Sequence, residues 1–285
     1  GGGDDTFDIL DTFDNIFNGG AGTDTADYTN SSGDITATIN TQTQSLVTGA
    51  GVGTDTLVNI ENLVTGNADD TFSITDDGDN VIDGAGGSNT LTTNMIGAGT
   101  DSTIVISRVG TTVSLTGTGF GTDTYENMDE VGVVSNDGND TFTVTDDGDN
   151  TFNAGTNGAT GDTIDYSSVA TGGVVVDLEN ETATDNGGTG IGNDTLIGFE
   201  NIIGTDNDDE LTGDSGDNVI TGGAGDDTID GGSGGTDLYD ESDSTTDMTI
   251  TLYSGAGTSS STGEGNDTLT NIDNVSTGSG DDTFT

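Results

Sequence analysis

The sequence contains no cysteine, histidine, proline or tryptophan, and Arg108 is the only basic residue among 285. Without cysteine the chain can form neither a disulfide framework nor a thiolate metal site, and without histidine it lacks the other ligand that zinc prefers. The missing His, Cys and Lys side chains also remove most groups that act as nucleophiles or proton carriers near neutral pH. The sequence therefore predicts that the protein is not an enzyme, although a site built from carboxylates alone stays open.

Long hydrophobic runs are lacking as well. No segment approaches the ~20 apolar residues of a membrane helix, so no membrane span is expected. Nucleic acid is not expected as a partner, because neutralising its phosphates takes many Lys and Arg side chains. An N-terminal signal peptide is not recognisable, and we therefore expect either a mature chain or an export route that needs no such signal.

Negative charge is what the sequence has in excess. It contains 53 Asp and Glu residues, which give a formal net charge of −52, and only 28% of its residues are hydrophobic. This combination is typical of chains that do not fold by themselves. Two carboxylates ~4 Å apart repel by about 1 kcal/mol even in bulk water. Many such pairs together exceed the usual stability of a domain, on the order of 10 kcal/mol. We therefore expect either disorder or neutralisation by an external cation.

Internal repeats organise the chain. The string Asp-Asp-Thr-Phe and its variants recur at intervals of about 70 residues, with second residues at Asp5, Asp70, Asp140, Asp209 and Asp282. We therefore predict tandem modules over residues 1–66, 67–135, 136–205 and 206–278, with the start of a fifth at 279–285. Each module contains alternating apolar residues, such as Val174, Val176 and Leu178, which predict strands with one buried face.

A shorter repeat of nine residues runs through the modules, with apolar residues at Ile202, Leu211, Ile220 and Ile229. Residues 222–230 show the whole unit, in which glycines make a tight turn and Ile229 occupies a three-residue strand. Two such units would form one flattened coil, and stacked coils would form two parallel sheets around a thin core. The fourth module is longer by this one unit, an insertion that we expect to leave the repeat in phase. The predicted fold is all-β, a parallel β-roll or β-solenoid with additional strand excursions.

The turns of such a fold stack in columns and bring carboxylates and carbonyl oxygens together. Hard oxygen ligands in a flexible glycine-rich frame suit Ca²⁺, which accepts 6–8 oxygens at about 2.3–2.6 Å. Mg²⁺ demands stricter octahedral geometry, and zinc lacks its preferred ligands. We therefore expect several Ca²⁺ ions as cofactors, with ion binding and folding as one event.

The pattern Gly-Gly-x-Gly-x-Asp-x-U-x, with U a large apolar residue, is matched at every position by residues 222–230, and by residues 19–27 with Ala26 at U. It resembles the RTX, or hemolysin-type, calcium-binding repeat of large secreted bacterial adhesins and surface-layer proteins. The resemblance implies a calcium-bound parallel β-roll, folding outside the cell, and type I export without a signal peptide. It also implies that calcium is held by turn carbonyls and by Asp5, Asp24, Asp55, Asp70, Asp123, Asp140, Asp194, Asp209, Asp217, Asp227, Asp237, Asp267 and Asp282.

Some turns depart from this pattern. Asn218 occupies an aspartate position, and the segment Gly87-Ser88-Asn89 has no acid at all. We therefore expect the second module to bind fewer ions than the others.

Two classes of function are compatible with these features. The first is a structural calcium-binding array in an extracellular filament, surface layer or adhesin stalk, with copies associating head to tail or with further copies of the repeat. The strings Gly-Gly-Gly-Asp-Asp-Thr-Phe and Gly-Ser-Gly-Asp-Asp-Thr-Phe at the two ends of the sequence favour this hypothesis. The alternative is a carbohydrate- or ice-binding module of a secreted adhesin. Threonine is abundant, but irregular turn lengths argue against the regular array that ice binding requires.

Overall fold

The structure is a computed structural model that describes residues 1–76, 78–94, 102–117, 121–145, 147–156, 159–188, 190–253, 256–261 and 263–285. Within these residues all secondary-structure elements are β-strands, which confirms the predicted all-β class. The chain forms two compact units, Gly1–Asn136 and Asp137–Thr285. The finer division into modules of about 70 residues stays a prediction.

The first unit contains fourteen of the described strands, most of them short. They are β1 (Thr6–Asp8), β2 (Ile16–Asn18), β3 (Thr25–Asp27), β4 (Ile35–Ile39), β5 (Ser45–Gly49), β6 (Gly53–Val58), β7 (Asn62–Val64), β8 (Thr71–Ile74), β9 (Val81–Asp83), β10 (Thr90–Asn94), β11 (Thr103–Val109), β12 (Thr112–Gly117), β13 (Gly121–Glu126) and β14 (Glu130–Val134).

The second unit contains the remaining sixteen described strands. They are β15 (Thr141–Thr145), β16 (Asn150–Asn153), β17 (Thr163–Asp165), β18 (Gly173–Asp177), β19 (Thr182–Asn186), β20 (Asn193–Ile197), β21 (Asn201–Ile203), β22 (Glu210–Thr212), β23 (Val219–Thr221), β24 (Thr228–Asp230), β25 (Leu238–Glu241), β26 (Met248–Tyr253), β27 (Ala256–Ser261), β28 (Gly265–Thr270), β29 (Asn274–Thr277) and β30 (Thr283–Phe284).

The strands of each unit form two sheets. In the first unit, sheet 1 has the order β1-β3-β7-β9-β13-β12-β11 and sheet 2 the order β2-β6-β5-β4-β8-β10-β14. In the second unit, sheet 3 is β15-β17-β21-β23-β25-β29 and sheet 4 is β16-β20-β19-β18-β22-β24-β28-β27-β26-β30. Strands β21 to β25 alternate between sheets 3 and 4 and pair in parallel, so the chain winds as a parallel β-roll.

The nine-residue unit is half of one coil, as predicted. Ile202 lies beside Ile220 in sheet 3, and Leu211 lies beside Ile229 in sheet 4, so 18 residues separate equivalent positions. All four side chains are buried and point into the space between the sheets. A three-residue strand can direct only its middle side chain inward, because side chains alternate between the faces of a strand.

Aromatic contacts show that the two sheets of a unit face one another. The rings of Phe7 in sheet 1 and Phe17 in sheet 2 lie 5.5 Å apart, and those of Phe142 in sheet 3 and Phe152 in sheet 4 lie 5.8 Å apart. The alternating residues that predicted buried faces are also in this core, since Val174 and Val176 are fully buried.

Four antiparallel meanders of three strands interrupt the parallel coils and account for the predicted strand excursions. They are β4-β5-β6, β11-β12-β13, β18-β19-β20 and β26-β27-β28. Each meander lies within a sheet: β20 pairs with β16 of the preceding coil, and β18 pairs with β22 of the following coil. The residue after each meander has a left-handed backbone, which asparagine and glycine adopt most readily. These residues are Asn59, Asn127, Gly198 and Asn271.

The number of strands between two meanders determines which sheet receives the second one. In the first unit four strands, β7 to β10, separate the meanders, which therefore fall in sheet 2 and then sheet 1. In the second unit five strands, β21 to β25, separate them, and both fall in sheet 4. The nine-residue unit at 222–230 thus keeps the repeat in phase, as expected, but also changes the sheet that holds the following meander.

Candidate calcium sites

Paired acids in the turns hydrogen-bond to a neighbouring coil in opposite directions. Asp208 Oδ1 accepts the backbone N–H of Asp226 at 2.8 Å, while Asp227 Oδ1 accepts that of Asp209, also at 2.8 Å. Such charge-assisted bonds are stronger than neutral ones and tie the coils together where the short strands end. The same reciprocal arrangement joins Asp4 and Asp5 to Thr23 and Asp24, Asp69 and Asp70 to Ser88 and Asn89, and Asp217 and Asn218 to Thr236 and Asp237.

The two members of each acid pair lie in different environments. The first member, such as Asp208 or Asp217, faces the solvent or the rim of the turn, and we call it the outer carboxylate. The second member is the inner side chain and is buried inside the turn. The predicted ligands at buried inner positions are Asp24, Asp70, Asp140, Asp209, Asp227 and Asp237. Asp217 is an outer carboxylate, while Asp5 and Asp282 are more exposed members of the inner set.

Each predicted module contains a ladder of three inner side chains, which we call the central ladder. In the first module, the N–H of Asp5 donates to Asp24 Oδ1 at 2.7 Å, and the N–H of Asp24 donates to Glu61 Oε2 at 2.9 Å. The equivalent sets are Asp70, Asn89 and Asp129; Asp140, Asp162 and Glu200; and Asn218, Asp237 and Asp273. The middle member therefore joins three successive coils.

Five acids of the central ladders were missed by the sequence-based prediction: Glu61, Asp129, Asp162, Glu200 and Asp273. Three of them could have been found from their context, because an acid precedes Asn and an apolar residue in Glu61-Asn62-Leu63, Glu200-Asn201-Ile202 and Asp273-Asn274-Val275. Asp162 follows Gly161 and, like Asp227, precedes a Thr-Ile-Asp strand, but its turn lacks the double glycine.

Some inner carboxylates have one oxygen without a donor within the described structure. Oδ2 of Asp24 and Oδ2 of Asp227 are shielded from solvent and accept no hydrogen bond there. Leaving a buried acceptor unsatisfied costs about 1–3 kcal/mol, and more when the group is charged. A methyl group added at Gly19 would collide with Asp24 Oδ2 and with the carbonyl oxygen of Asn59. The glycine thus permits two oxygen atoms to approach the same point, which is a ligand arrangement for a cation.

The oxygen atoms available to calcium in these turns are backbone carbonyls as well as carboxylates. Among the described residues, no three acidic side chains form one metal-binding group. An ion at these turns would therefore take one or two inner carboxylates and complete its shell with backbone carbonyl oxygens, which Ca²⁺ accepts readily. The role of each predicted aspartate as a ligand stays a prediction.

The most strongly charged turns surround Asp227. Burial, and then the charges of Asp267, Asp209 and Glu241, raise the pKa of Asp227 to about 8. Burial and the neighbouring charges of Glu264 and Asp267 raise the pKa of Glu241 to about 7. Burial is also the main cause of the raised pKa of the inner carboxylates Asp70, Asp209 and Asp237. A bound cation would favour the ionised form of each group.

The four predicted ligands in the meanders are satisfied in another way. Asp55, Asp123, Asp194 and Asp267 each accept a hydrogen bond from a buried tyrosine hydroxyl through Oδ2, at 2.6–3.2 Å, from Tyr28, Tyr125, Tyr166 and Tyr239 respectively. Their Oδ1 atoms accept backbone N–H groups of Asn15, Asn80, Asn150 and Asp227. The structure therefore places these aspartates within the last strand of each meander, where a hydroxyl group already donates to one carboxylate oxygen.

This geometry defines a parallel β-roll of nonapeptide units, and a family comparison agrees with it for part of the chain. Residues 203–237 match the model of the RTX calcium-binding nonapeptide repeat in four copies. This segment therefore carries RTX repeats, and RTX nonapeptide repeats bind calcium ions, which confirms the predicted cofactor. No curated protein matches the sequence. The described part of the chain contains no helix with the length and hydrophobicity of a membrane span.

Without calcium, the free energy of unfolding should fall as the pH rises from about 4.5 to 8.5. The folded-state pKa values of Asp227, about 8, and Glu241, about 7, lie above the value of ~4 of an unfolded carboxyl group. The folded chain therefore binds more protons, and this stabilising contribution is lost as the pH passes the folded-state pKa. Urea titrations of chelator-treated protein would measure the trend. D227N should flatten its upper part, whereas stability that rises with pH would contradict the assignment.

Replacing a tyrosine that donates to a meander aspartate by phenylalanine should destabilise the calcium-loaded protein. Tyr166→Phe removes the hydroxyl donor of Asp194 while keeping the ring in the core. A buried acceptor without its donor costs about 1–3 kcal/mol, which urea denaturation in saturating calcium would detect. Tyr28→Phe makes the same change in the other unit, and unchanged stability in both variants would show that these bonds are not stabilising.

Proposed function

We propose that this chain is a structural calcium-binding repeat array that forms part of an extracellular filament, surface layer or adhesin stalk. Calcium binding would fold and rigidify its coils. The observation that carries the proposal is the burial of Asp24 and Asp227 with one carboxylate oxygen lacking a donor in the described structure. These oxygens need a cation, and the sequence supplies only Arg108.

The charge of the chain supports a location where calcium is plentiful. A net charge of −52 opposes the compact state through self-repulsion, and neutralising it requires several ions. Sites that rely largely on carbonyls resemble the weaker calcium sites of extracellular modules, with Kd values of about 10⁻⁴–10⁻³ M. RTX repeats are also typical of secreted proteins, which supports a secreted location for this chain.

A non-catalytic role is part of the proposal. The matched repeat is a structural calcium-binding family, and the comparison indicates no enzymatic one. Association with further copies of the repeat follows from the same architecture, because the edge strand of a solenoid exposes unpaired backbone groups to which another coil can add.

Calcium removal should abolish most of the β-structure. Far-UV circular dichroism would show a β-type spectrum in millimolar calcium and a much weaker β-signal in excess chelator, and small-angle scattering would show the accompanying expansion. Magnesium at equal concentration is the control and should restore little structure, since it demands stricter octahedral geometry. A β-type spectrum that persists unchanged in excess chelator would refute calcium-dependent folding.

A second candidate function, binding to ice or to an ordered polysaccharide, is favoured by one face of the first unit. Across β6, β5, β4, β8 and β10, the outward side chains form two rows in register. One row is Thr54, Thr48, Thr36, Thr71 and Thr90, and the other is Thr56, Leu46, Thr38, Ser73 and Thr92. The irregular turn lengths therefore do not disturb the register of these strands, and a repeated ligand could match side chains spaced about 4.8 Å apart along each row.

The same face carries no charged outward side chain on these five strands, in contrast to the acidity of the chain as a whole. Replacing Thr36 and Thr71 by lysine should therefore abolish thermal hysteresis or retention on insoluble polysaccharide. Thr212→Lys, on the outer surface of sheet 4, is the matched control. Neither activity in the unaltered protein, or equal loss in the control, would reject this second function.

A further inference from the structure

The middle position of the four central ladders is not chemically uniform. It is aspartate in three ladders, at Asp24, Asp162 and Asp237, and asparagine in one, at Asn89. Only 1% of the surface of Asn89 is exposed. Its amide therefore lies where the surrounding protein restricts the choice of side chain.

Asn89 makes the same interstrand bonds as its aspartate counterpart. Its Oδ1 accepts the N–H of Asp70 at 2.9 Å, and its own N–H donates to Asp129 Oδ2 at 2.8 Å. Asp24 accepts from Asp5 and donates to Glu61 in the same manner. The two turns therefore differ chiefly in the second terminal atom of the side chain, which is nitrogen in Asn89 and oxygen in Asp24.

That second atom has opposite surroundings in the two turns. Nδ2 of Asn89 donates to the carbonyl oxygen of Gly84 at 3.0 Å and to that of Asn127 at 2.9 Å. Oδ2 of Asp24 has no donor in the described structure and lies beside Gly19, close to the carbonyl of Asn59. Asn59 and Asn127 are the equivalent left-handed residues that follow the two meanders. The amide of Asn89 thus donates to carbonyl oxygens, whereas at Asp24 a carboxylate oxygen and a carbonyl oxygen lie close together without a donor between them.

We propose that Asn89 closes its turn without a cation, its amide N–H groups replacing the calcium ion that links the corresponding oxygens at Asp24. This inference rests on the proposed calcium-dependent folding. It assigns calcium dependence turn by turn: an aspartate in the middle of the central ladder requires an ion, and an asparagine supplies its own cross-link between coils.

Other inner asparagines donate where a carboxylate could not. Nδ2 of Asn218 donates to the carbonyl oxygen of Glu200, in another coil, at 2.7 Å. Nδ2 of Asn150 and of Asn80 donate within their own turns to Gly148 and Gly78, and across coils to the carboxylates of Asp194 and Asp123. Asn89 is the one asparagine in the middle of a central ladder and belongs to the predicted second module, which supplies a mechanism for the expectation that this module binds fewer ions.

The reciprocal substitutions N89D and D24N test the proposal. Equilibrium dialysis with radioactive calcium should show about one additional bound ion per chain for N89D and about one fewer for D24N. Thermal melting in excess chelator should show the opposite order, with a higher midpoint for D24N and a lower one for N89D. Asn30→Asp, at an exposed position, adds the same charge outside the central ladder and should leave the number of bound ions unchanged.

The two measurements separate this proposal from the calcium-dependent fold. If the unaltered protein binds no calcium, the proposed function fails. The assignment of an ion to Asp24 and an amide link to Asn89 then fails as well, unless D24N still has a higher melting midpoint without calcium. If the unaltered protein binds calcium but N89D gains no ion and D24N does not raise the calcium-free melting midpoint, only the assignment of Asn89 is overturned. Should N89D not fold without calcium, D24N still decides the outcome.

Discussion

The rest of the structure depends on carboxylates that are buried between successive coils. The N–H of one coil donates to the inner carboxylate of the next, as Asp209 does to Asp227, so these charges hold the coils in register. The same charges repel one another through a thin protein interior, where burial raises the pKa of Asp227 to about 8. One set of side chains therefore both aligns the coils and opposes their assembly, and an external cation resolves the conflict.

The fold could be predicted because its determinants are local. Glycines mark the turns, and the nine-residue spacing of Ile202, Leu211, Ile220 and Ile229 already requires alternate strands to face a common core. The insertion of the meanders into the sheets could not be predicted in this way. It depends on which strands pair in parallel with β18 and β20. Alternating apolar residues are compatible with either order of strands in the sheet.

The site was predicted less completely, because a carboxylate in a turn has several possible partners. The Gly-x-Asp context of Asp194 resembles that of a ligand, yet Tyr166, distant in sequence, donates to its second oxygen. Glu200 lies outside any glycine-rich turn and still accepts the N–H of Asp162. On the proposal made for Asn89, the chain links its coils by three chemical means: an ion, an amide or a hydroxyl group. Only the last two would be complete without a ligand.

The placement of the meanders has a geometric consequence for the path of each stack. A meander adds two strand spacings, about 10 Å, to one sheet and none to the opposite sheet. In the first unit the additions oppose each other, and both sheets have seven described strands. In the second unit both additions lengthen sheet 4, which has ten described strands against six in sheet 3. The insertion or loss of nine residues therefore decides whether the added strands are shared between the two sheets of a unit or accumulate in one of them.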